Sequence, residues 1–313
     1  MDVVTFGETM VLFYPATVGP LRFAGQFAKT IGGAESNLAI ALARLGHQVS
    51  WVSRLGDDEF GLFVRNFIRG EGVDTSHVVF DPEHPTAVFF KERQHGKEPK
   101  VYYYRKGSAA SRMQPEDISE QLIAQAKFLH ITGITPALSA SCRETLYQAI
   151  DKARRHQVSV VFDPNVRLKL WKKAEARSVL MDIASRCDIV LPGREEGVLL
   201  TGEEREKRIC DRLLESGAKS VVLKLGERGA FYATAAGEAE HVPGFPVTEI
   251  VDPIGAGDGF AAGFLSGLLR GWTYREAVRL GNRIGAYALT VAGDVEGYPF
   301  WSQISSDSEE VHR

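Results

Sequence analysis

Cysteine is scarce in this chain: three in 313 residues, Cys142, Cys187 and Cys210, with no Cys-x-x-Cys pair. That spacing excludes a disulfide framework and a structural zinc site, and the three read as reduced cytosolic thiols. Long runs of Lys and Arg are missing and the formal net charge is −3, which excludes a surface built for nucleic acid. No apolar stretch approaches the ~20 residues of a membrane helix. The first seven residues begin a strand with no basic segment before it, so no signal peptide is expected and the chain is read as cytoplasmic. A Gly-x-x-x-x-Gly-Lys-Ser/Thr loop is missing, which excludes a P-loop fold, and so is a Gly-x-Ser-x-Gly elbow. None of the eight histidines falls in a catalytic or metal-binding pattern, and His130, on an apolar strand, is expected to be a satisfied core residue.

What is present is a regular alternation of short apolar runs and helical stripes. Residues 2–7 read as a strand ending at Gly7-Glu8, and residues 34–46 as a helix with Leu38, Leu42 and Leu45 on one stripe. A strand over 49–53 follows. Then Asp57-Asp58-Glu59 places acids at the start of a helix expected to carry Phe60, Phe63, Val64 and Phe67 inward. From Pro115 onward, helices over 115–126, 139–156, 173–185 and 203–216 alternate with strands over 128–132, 158–163, 188–192 and 219–224. Such spacing predicts a mostly parallel sheet covered on both faces. Two stretches break the rhythm. One is residues 11–30, rich in Pro, Gly and aromatics. The other is a hairpin in which 87–91 and 100–105 flank a polar tip. Together, segments about 11–33 and 86–108 are expected to form a small lid inserted in one unit spanning 1–313. Residues 302–313 are polar and expected to fray.

Ligands of parallel α/β sheets bind beyond the carboxyl ends of the strands. The stretch Asp252-Pro253-Ile254-Gly255-Ala256-Gly257-Asp258-Gly259-Phe260 reads as a strand end, a glycine turn and a helix starting near Asp258. Small residues let successive N–H groups converge at a helix N-terminus, which makes an anion site. Asp258 is odd there: either it is a helix N-cap, or it has chemical work. Residues 257–262 also fit the loose pattern Gly-x-Gly-x-x-Ala. However, the acid about 20 residues on, Glu276, lies in a helical stretch rather than at a strand end, which weakens a dehydrogenase reading. Phosphoryl transfer to a hydroxyl needs a base and preorganised donors around the phosphate. Asp258 and the amides of Gly255, Ala256 and Gly257 would supply both.

Asp252-Pro-x-Gly-Ala-Gly-Asp258-x-Phe, followed by Ala-Gly, resembles the C-terminal signature of the PfkB (ribokinase-like) carbohydrate kinases. Gly32-Gly33-Ala34-x-x-Asn37-x-Ala39, followed by Leu45-Gly46, resembles the same family's N-terminal signature, and similarity runs from Gly7-Glu8 to about Pro299. The resemblance implies a ribokinase-like three-layer αβα core with a mostly parallel sheet plus a small β-sheet lid. It implies ATP and Mg²⁺, and leaves room for a monovalent cation. Asp258 would be the catalytic base, with Gly255, Ala256 and Gly257 as the anion hole and Gly33 approaching the sugar. Asn165, Lys224, Gly226, Arg228 and Gly229 would lie on the nucleotide side, where 224–229 also reads as a plain hairpin turn. Asn282 would lie near the adenine, or face solvent from its helix. The family's Asn-x-x-Glu has Gly193 in its first position here and retains Glu196, which would organise the metal indirectly.

Within the family, Tyr103-Tyr104-Arg105-Lys106-Gly107, Gly133-Ile134-Thr135-Pro136 and Gly293-Asp294-x-Glu296-Gly297 resemble the kinases of 2-keto-3-deoxygluconate. A sugar acid carries a carboxylate, which favours an Arg fork and hydroxyl donors. Arg167 at a strand's carboxyl end, with Tyr103, Tyr104 and Arg105 on the lid, would supply them if the lid closes, and Asp294 would contact a hydroxyl. The competing reading of residues 102–105 is ordinary strand alternation, and Asp294 could merely cap a loop. Transfer to another sugar, or a silent sensor on the same fold, remains open. The aromatic faces of Phe89, Tyr102 and Tyr104 are expected to form a homo-oligomer through the lid.

Overall fold

Alternate residues of a strand point to opposite faces, so a sheet that must bury both needs apolar residues at every position. Val3 and Val4 show this. In the computed structural model, which describes residues 1–92 and 100–310, Val3 packs in one core with Leu38, Leu42, Trp51 and Phe264. Val4 packs in the other with Phe6, Leu129, Leu146 and Phe162. The main sheet has eight strands in the order Ala239–Val242, Ala230–Thr234, Ser220–Lys224, Ile189–Val190, Ser159–Asp163, Phe128–Thr132, Val3–Phe6, Val49–Val52. The last six are mutually parallel and the first two are added antiparallel. All the parallel carboxyl ends therefore share one edge.

The two irregular stretches join, as expected, into a separate four-stranded sheet ordered Phe27–Gly32, Met10–Pro15, Val88–Glu92, Lys100–Tyr104. The hairpin pairs Phe89 with Tyr103 and Lys91 with Val101. Its tip, 93–99, lies outside the described residues.

Four local expectations need correction. Residues 115–126 do not form one helix. A short 3₁₀ turn, Pro115–Asp117, is followed by Glu120–Ala124, because the Ser119 hydroxyl accepts from Leu122 N at 3.3 Å and starts a new helix. In helix Glu59–Gly70, Phe60 is 38% exposed and packs edge-on against Phe13 of the lid sheet at 5.7 Å, while Val64 and Ile68 take the core face. No strand leads directly into the glycine turn; the chain reaches it irregularly from Val242, tied by Val251 N to Leu289 O at 2.8 Å. Residues expected to fray continue as helix Trp301–Glu310, with Ile304 buried; 311–313 lie outside the described residues.

Helix Ala256–Leu269 lies against helix Tyr274–Ala288 through glycines at every fourth position. A Cβ on Gly263 would come within 2.8 Å of Ile284 Cγ1 and of the Leu280 carbonyl, and one on Gly267 within 2.6 Å of Ala277 Cα. Backbone contact is thus built in, and it fixes where the glycine turn sits. Gly263→Val should overpack this contact and cost about 1–3 kcal/mol, read as a lowered midpoint in thermal denaturation.

Candidate active site

A cavity of about 640 Å³ opens between the carboxyl edge of the main sheet and the inner face of the lid. Its walls bring together Gly33, Tyr103, Arg105, Asn165, Arg167, Glu196, Lys224, Gly226, Gly255, Gly257, Asp258 and Asp294, from every part of the chain.

Helix Ala256–Leu269 begins after Gly255, whose φ of +85° favours glycine and whose missing Cβ avoids the Asp294 carbonyl by design of the fold: a Cβ would stand 2.3 Å from it. The first intrahelical bond runs from Gly259 N to Gly255 O at 2.8 Å. The N–H groups of Ala256, Gly257 and Asp258 therefore start the helix without an intrahelical acceptor, and they carry the positive end of its dipole. Tyr298 Oη donates to the Gly255 carbonyl at 2.7 Å and steadies the turn.

Asp258 is the third helical residue, not the N-cap. Its carboxylate accepts from Asn37 Nδ2 at 2.8 Å and from Asn165 Nδ2 at 3.4 Å. Asn37 is buried in helix Ala34–Arg44, the helix opened by the N-terminal glycine motif. Asn165 has φ +36°, a left-handed conformation that Asn tolerates. Burial pushes the Asp258 carboxyl up to about 7; the negative charge of Asp163 adds to the rise, while the Asn37 hydrogen bond, Arg167 and Lys224 oppose it. A carboxyl near neutrality can take a proton and release it, as a general base must.

Lys224 ends its strand with Nζ 2.6 Å from Asp163 Oδ2. The Cβ position of Gly257 lies 3.7 Å from the same nitrogen, so the ammonium stands at the lip of the helix N-terminus. Burial opposes its charge, but Asp163, Glu196 and Asp258 outweigh burial and hold it protonated above the ordinary lysine value. Glu196 accepts from Gly193 N at 2.8 Å and Val166 N at 2.7 Å, stapling two loops at the sheet edge. The backbone of Gly193 thus still serves the motif whose side chain it lacks.

At the lid end, Tyr103 stacks on Phe89 with centroids 5.6 Å apart, and Arg105 and Lys169 lie 5.6 and 5.5 Å from its ring. Arg105 Nη2 meets the buried Glu8 carboxylate at 2.5 Å, and Ser108 Oγ donates to the other Glu8 oxygen. Lys169 Nζ donates to the Val101 carbonyl at 3.2 Å, so lid and core touch across the cavity. Arg167 is exposed, and it lines the same cavity as Arg105 of the lid.

Other expected site residues lie elsewhere. Tyr104 is 65% exposed on the outer face of the lid, edge-on to Phe90, because strand alternation turns it away from Tyr103. For the same reason Phe89 belongs to the inner face and not to the outer aromatic surface. Arg228 pairs with Glu206 at 2.7 Å, outside the cavity. Gly229 is required by packing, since a Cβ there would meet the Val242 carbonyl at 2.1 Å. Gly33 does line the cavity, and it too is set by packing, since a Cβ would strike the Glu8 carbonyl at 2.5 Å. Asn282 neither faces solvent nor lines the main cavity. Its amide donates to Pro243 O at 2.9 Å and borders a second cavity of about 400 Å³ with Phe245 and Arg279. Ala256 offers only backbone. His130 is core: burial and Lys224 push it down to about 3, and Thr5 Oγ1 lies 3.0 Å from its Nδ1. Sequence reasoning left Glu8, Asn37, Lys91 and Asp163 without roles. Asn37 stands in the N-terminal glycine motif, and Asp163 ends the strand expected over 158–163, whereas Lys91 reads as one more polar strand residue.

The family model for "pfkB family carbohydrate kinase" matches residues 1–301. The chain is 41% identical to the 2-dehydro-3-deoxygluconokinase of Bacillus subtilis (strain 168), covering 98% of this chain and 95% of that one. The crystal structure of a PfkB protein from Polaromonas sp. JS666 superposes with a TM-score of 0.90 at 44% identity, covering 97% and 99% of the two chains. An E. coli protein assigned as ribokinase II, in complex with ATP and Mg²⁺, superposes with a TM-score of 0.91 at 27% identity, covering 99% of each. With two signature helices meeting at one cavity and the family model matching almost end to end, this chain belongs to the pfkB family of carbohydrate kinases.

Proposed function

We propose that this protein transfers the γ-phosphoryl group of ATP to the 6-hydroxyl of 2-keto-3-deoxygluconate, giving ADP and 2-keto-3-deoxy-6-phosphogluconate. The observation that carries the reading is Asp258, a carboxyl pushed up to about 7 beside the free amides of its own helix and held by Asn37. In this reading Asp258 takes the hydroxyl proton as the oxygen attacks phosphorus. The amides of Gly255, Ala256 and Gly257, with Lys224, receive the charge that gathers on the transferring group. Arg105 and Arg167 hold the sugar carboxylate, Tyr103 shields the ring, and Asp294 accepts from a hydroxyl. Glu8 competes for Arg105, so the substrate carboxylate must share that guanidinium, a condition that favours a ligand also gripped by Arg167.

Asn165 and Gly226 border the phosphate side, and Asn282 with Pro243 frames the place for the base; Arg228 and Gly229 serve through the fold of the turn. Mg²⁺ carried on ATP would neutralise phosphate charge. Among the described residues no cluster of three His, Cys, Asp or Glu could ligate it directly. Asp163 and Glu196, both facing the cavity, fit the hydrated ion that Mg²⁺ usually remains. The whole chain would act as one cytoplasmic kinase unit with the four-stranded sheet as its lid; no helix among the described residues is long and apolar enough to cross a membrane. The outer lid face, where Phe13 and Phe90 stack at 5.2 Å beside exposed Phe27 and Tyr104, would seat a second copy.

Mass analysis of products after incubation with ATP, Mg²⁺ and a panel of sugars and sugar acids tests the reading. A gain of one phosphate is expected on 2-keto-3-deoxygluconate above all. Preference for fructose or for another keto-deoxy acid would replace the substrate, and ATP binding without any product would favour a sensor. Asp258→Asn should keep binding both substrates and lose on the order of 10²–10⁴-fold in turnover. In wild type, kcat/KM should rise with pH and level off above an inflection near 7, the protonated acid being inactive. Stability should run the other way. Between the ordinary value of 3.8 and about 7 the folded protein holds a proton that the unfolded chain releases, so folding loses support as pH rises across that range, and the loss levels off above about 7. Asp258→Asn should therefore melt a few degrees above wild type at pH 8, with the gain vanishing near pH 4. Tyr104→Glu should shift the wild-type assembly toward a 34.4 kDa monomer in light scattering, leaving the inner site intact.

A further inference from the structure

Lys91 stands on the inner face of the lid strand Val88–Glu92 and is buried, with only 5% of its side chain exposed. A lysine so enclosed costs free energy unless its charge is matched. It is matched twice, by Asp294 Oδ1 at 2.7 Å and Asp252 Oδ2 at 3.2 Å. These carboxylates come from the two loops that build the phosphate end. Asp252 begins the glycine turn; its Oδ1 accepts from Ile254 N at 3.1 Å, and its Oδ2 accepts from Gly293 N at 3.4 Å. Asp294 belongs to the loop whose carbonyl presses on Gly255, and its side chain reaches the cavity wall. Burial and the neighbouring Asp252 and Glu296 raise the Asp294 carboxyl, while Lys91 is the cation that opposes them.

We infer that Lys91 is a positioning residue that couples the lid to the phosphate-binding turn, holding Asp294 toward the acceptor sugar and Asp252 in the turn that presents Gly255 to Asp258. Three observations point to this role. The ammonium ties a strand of the lid sheet to two loops that belong to no sheet, and it joins the Thr30 hydroxyl, which donates to Glu296 at 2.7 Å, in linking the lid to residues 293–297. It lies behind the cavity wall and does not line it, so it acts on ligands through the two aspartates. Without it, two buried like charges would face each other, and one would take up a proton or swing away. The lid strand is thereby tied to the geometry of the turn, so that covering the sugar and forming the anion site become one event.

The inference rests on the kinase reading of this cavity, and its test separates the two. Wild-type transfer of phosphate to any sugar tests the reading. With wild type active, Lys91→Met should lower kcat at least tenfold and raise KM for both sugar and ATP. Lys91→Arg should recover part of the loss, and n-propylammonium should partly rescue Lys91→Ala in a saturable way. A merely structural lysine would lower the melting temperature and leave the kinetic constants of the folded fraction unchanged, which would overturn the inference. Amide hydrogen exchange keeps it testable whatever the turnover. Exchange over 252–258 and 293–297 should quicken in folded Lys91→Met relative to wild type, while exchange in the strand 128–132 stays slow. Unchanged exchange in both loops would also overturn it. Should Lys91→Met fail to fold, Asp252→Asn, which removes one arm of the bridge, is expected to give the same kinetic pattern, and its absence would count against the inference.

Discussion

A carboxylate placed among the free amides of a helix N-terminus will fold back onto them, or repel an incoming phosphate, unless something else holds it. Here the Asn37 amide holds Asp258 at 2.8 Å, across 221 residues of sequence. That bond requires two helices, Ala34–Arg44 and Ala256–Leu269, to begin at the same edge of the sheet and within a few ångströms of each other. Neither helix directly follows a strand of the parallel set: one comes after the lid strand Phe27–Gly32 and the other after the irregular chain from Val242, so it is the packing of the two helices on each other that brings their starts together. Backbone-to-backbone packing of glycine helices then sets the depth at which Asp258 emerges.

Charge at this edge is organised in matched pairs that span segments: Lys224 with Asp163, Arg105 with Glu8, Lys91 with Asp252 and Asp294. Buried pairs of this kind contribute little net stability, because desolvation offsets their attraction. Their value is positional. Each fixes a side chain that would otherwise be free, and each leaves a surface of known sign facing the cavity. The phosphate end is rich in N–H groups and an ammonium, while the lid end offers guanidinium groups over an aromatic wall. The two sets of donors thus stand at opposite ends of one cavity.

Much of this is legible in the sequence. Period-two and period-3.6 patterning marked the strands and helices of the core, and the glycine turn announced an anion site because few other functions need such small residues in succession. The failures share one cause. Alternation states that Tyr103 and Tyr104 point opposite ways but not which faces the cavity. Only the lid's placement over the core decides that Tyr103 does. Phe60 looked like core on its helix stripe, yet an aromatic on that stripe can pack on a neighbouring sheet and remain exposed. Arg228 and Gly229 sat in a turn of the right character, but one finds Glu206 and the other is dictated by the Val242 carbonyl. Gly33 is expected from the sequence to approach a sugar, but the crowding that bars a Cβ there comes from Glu8 and Thr9.

The sequence alone determined the layered α/β class, the glycine turn opening a helix, and an aspartate in that turn whose presence called for chemistry, since these follow from local periodicity and residue type. Tertiary structure alone decided that Asp258 is held by Asn37, that its carboxyl is pushed toward neutrality, and that a lysine from the lid reaches the loop behind the turn. Those facts depend on desolvation and on contacts between residues far apart in the chain. Local patterning carries no information about either until the strands have been ordered into a sheet.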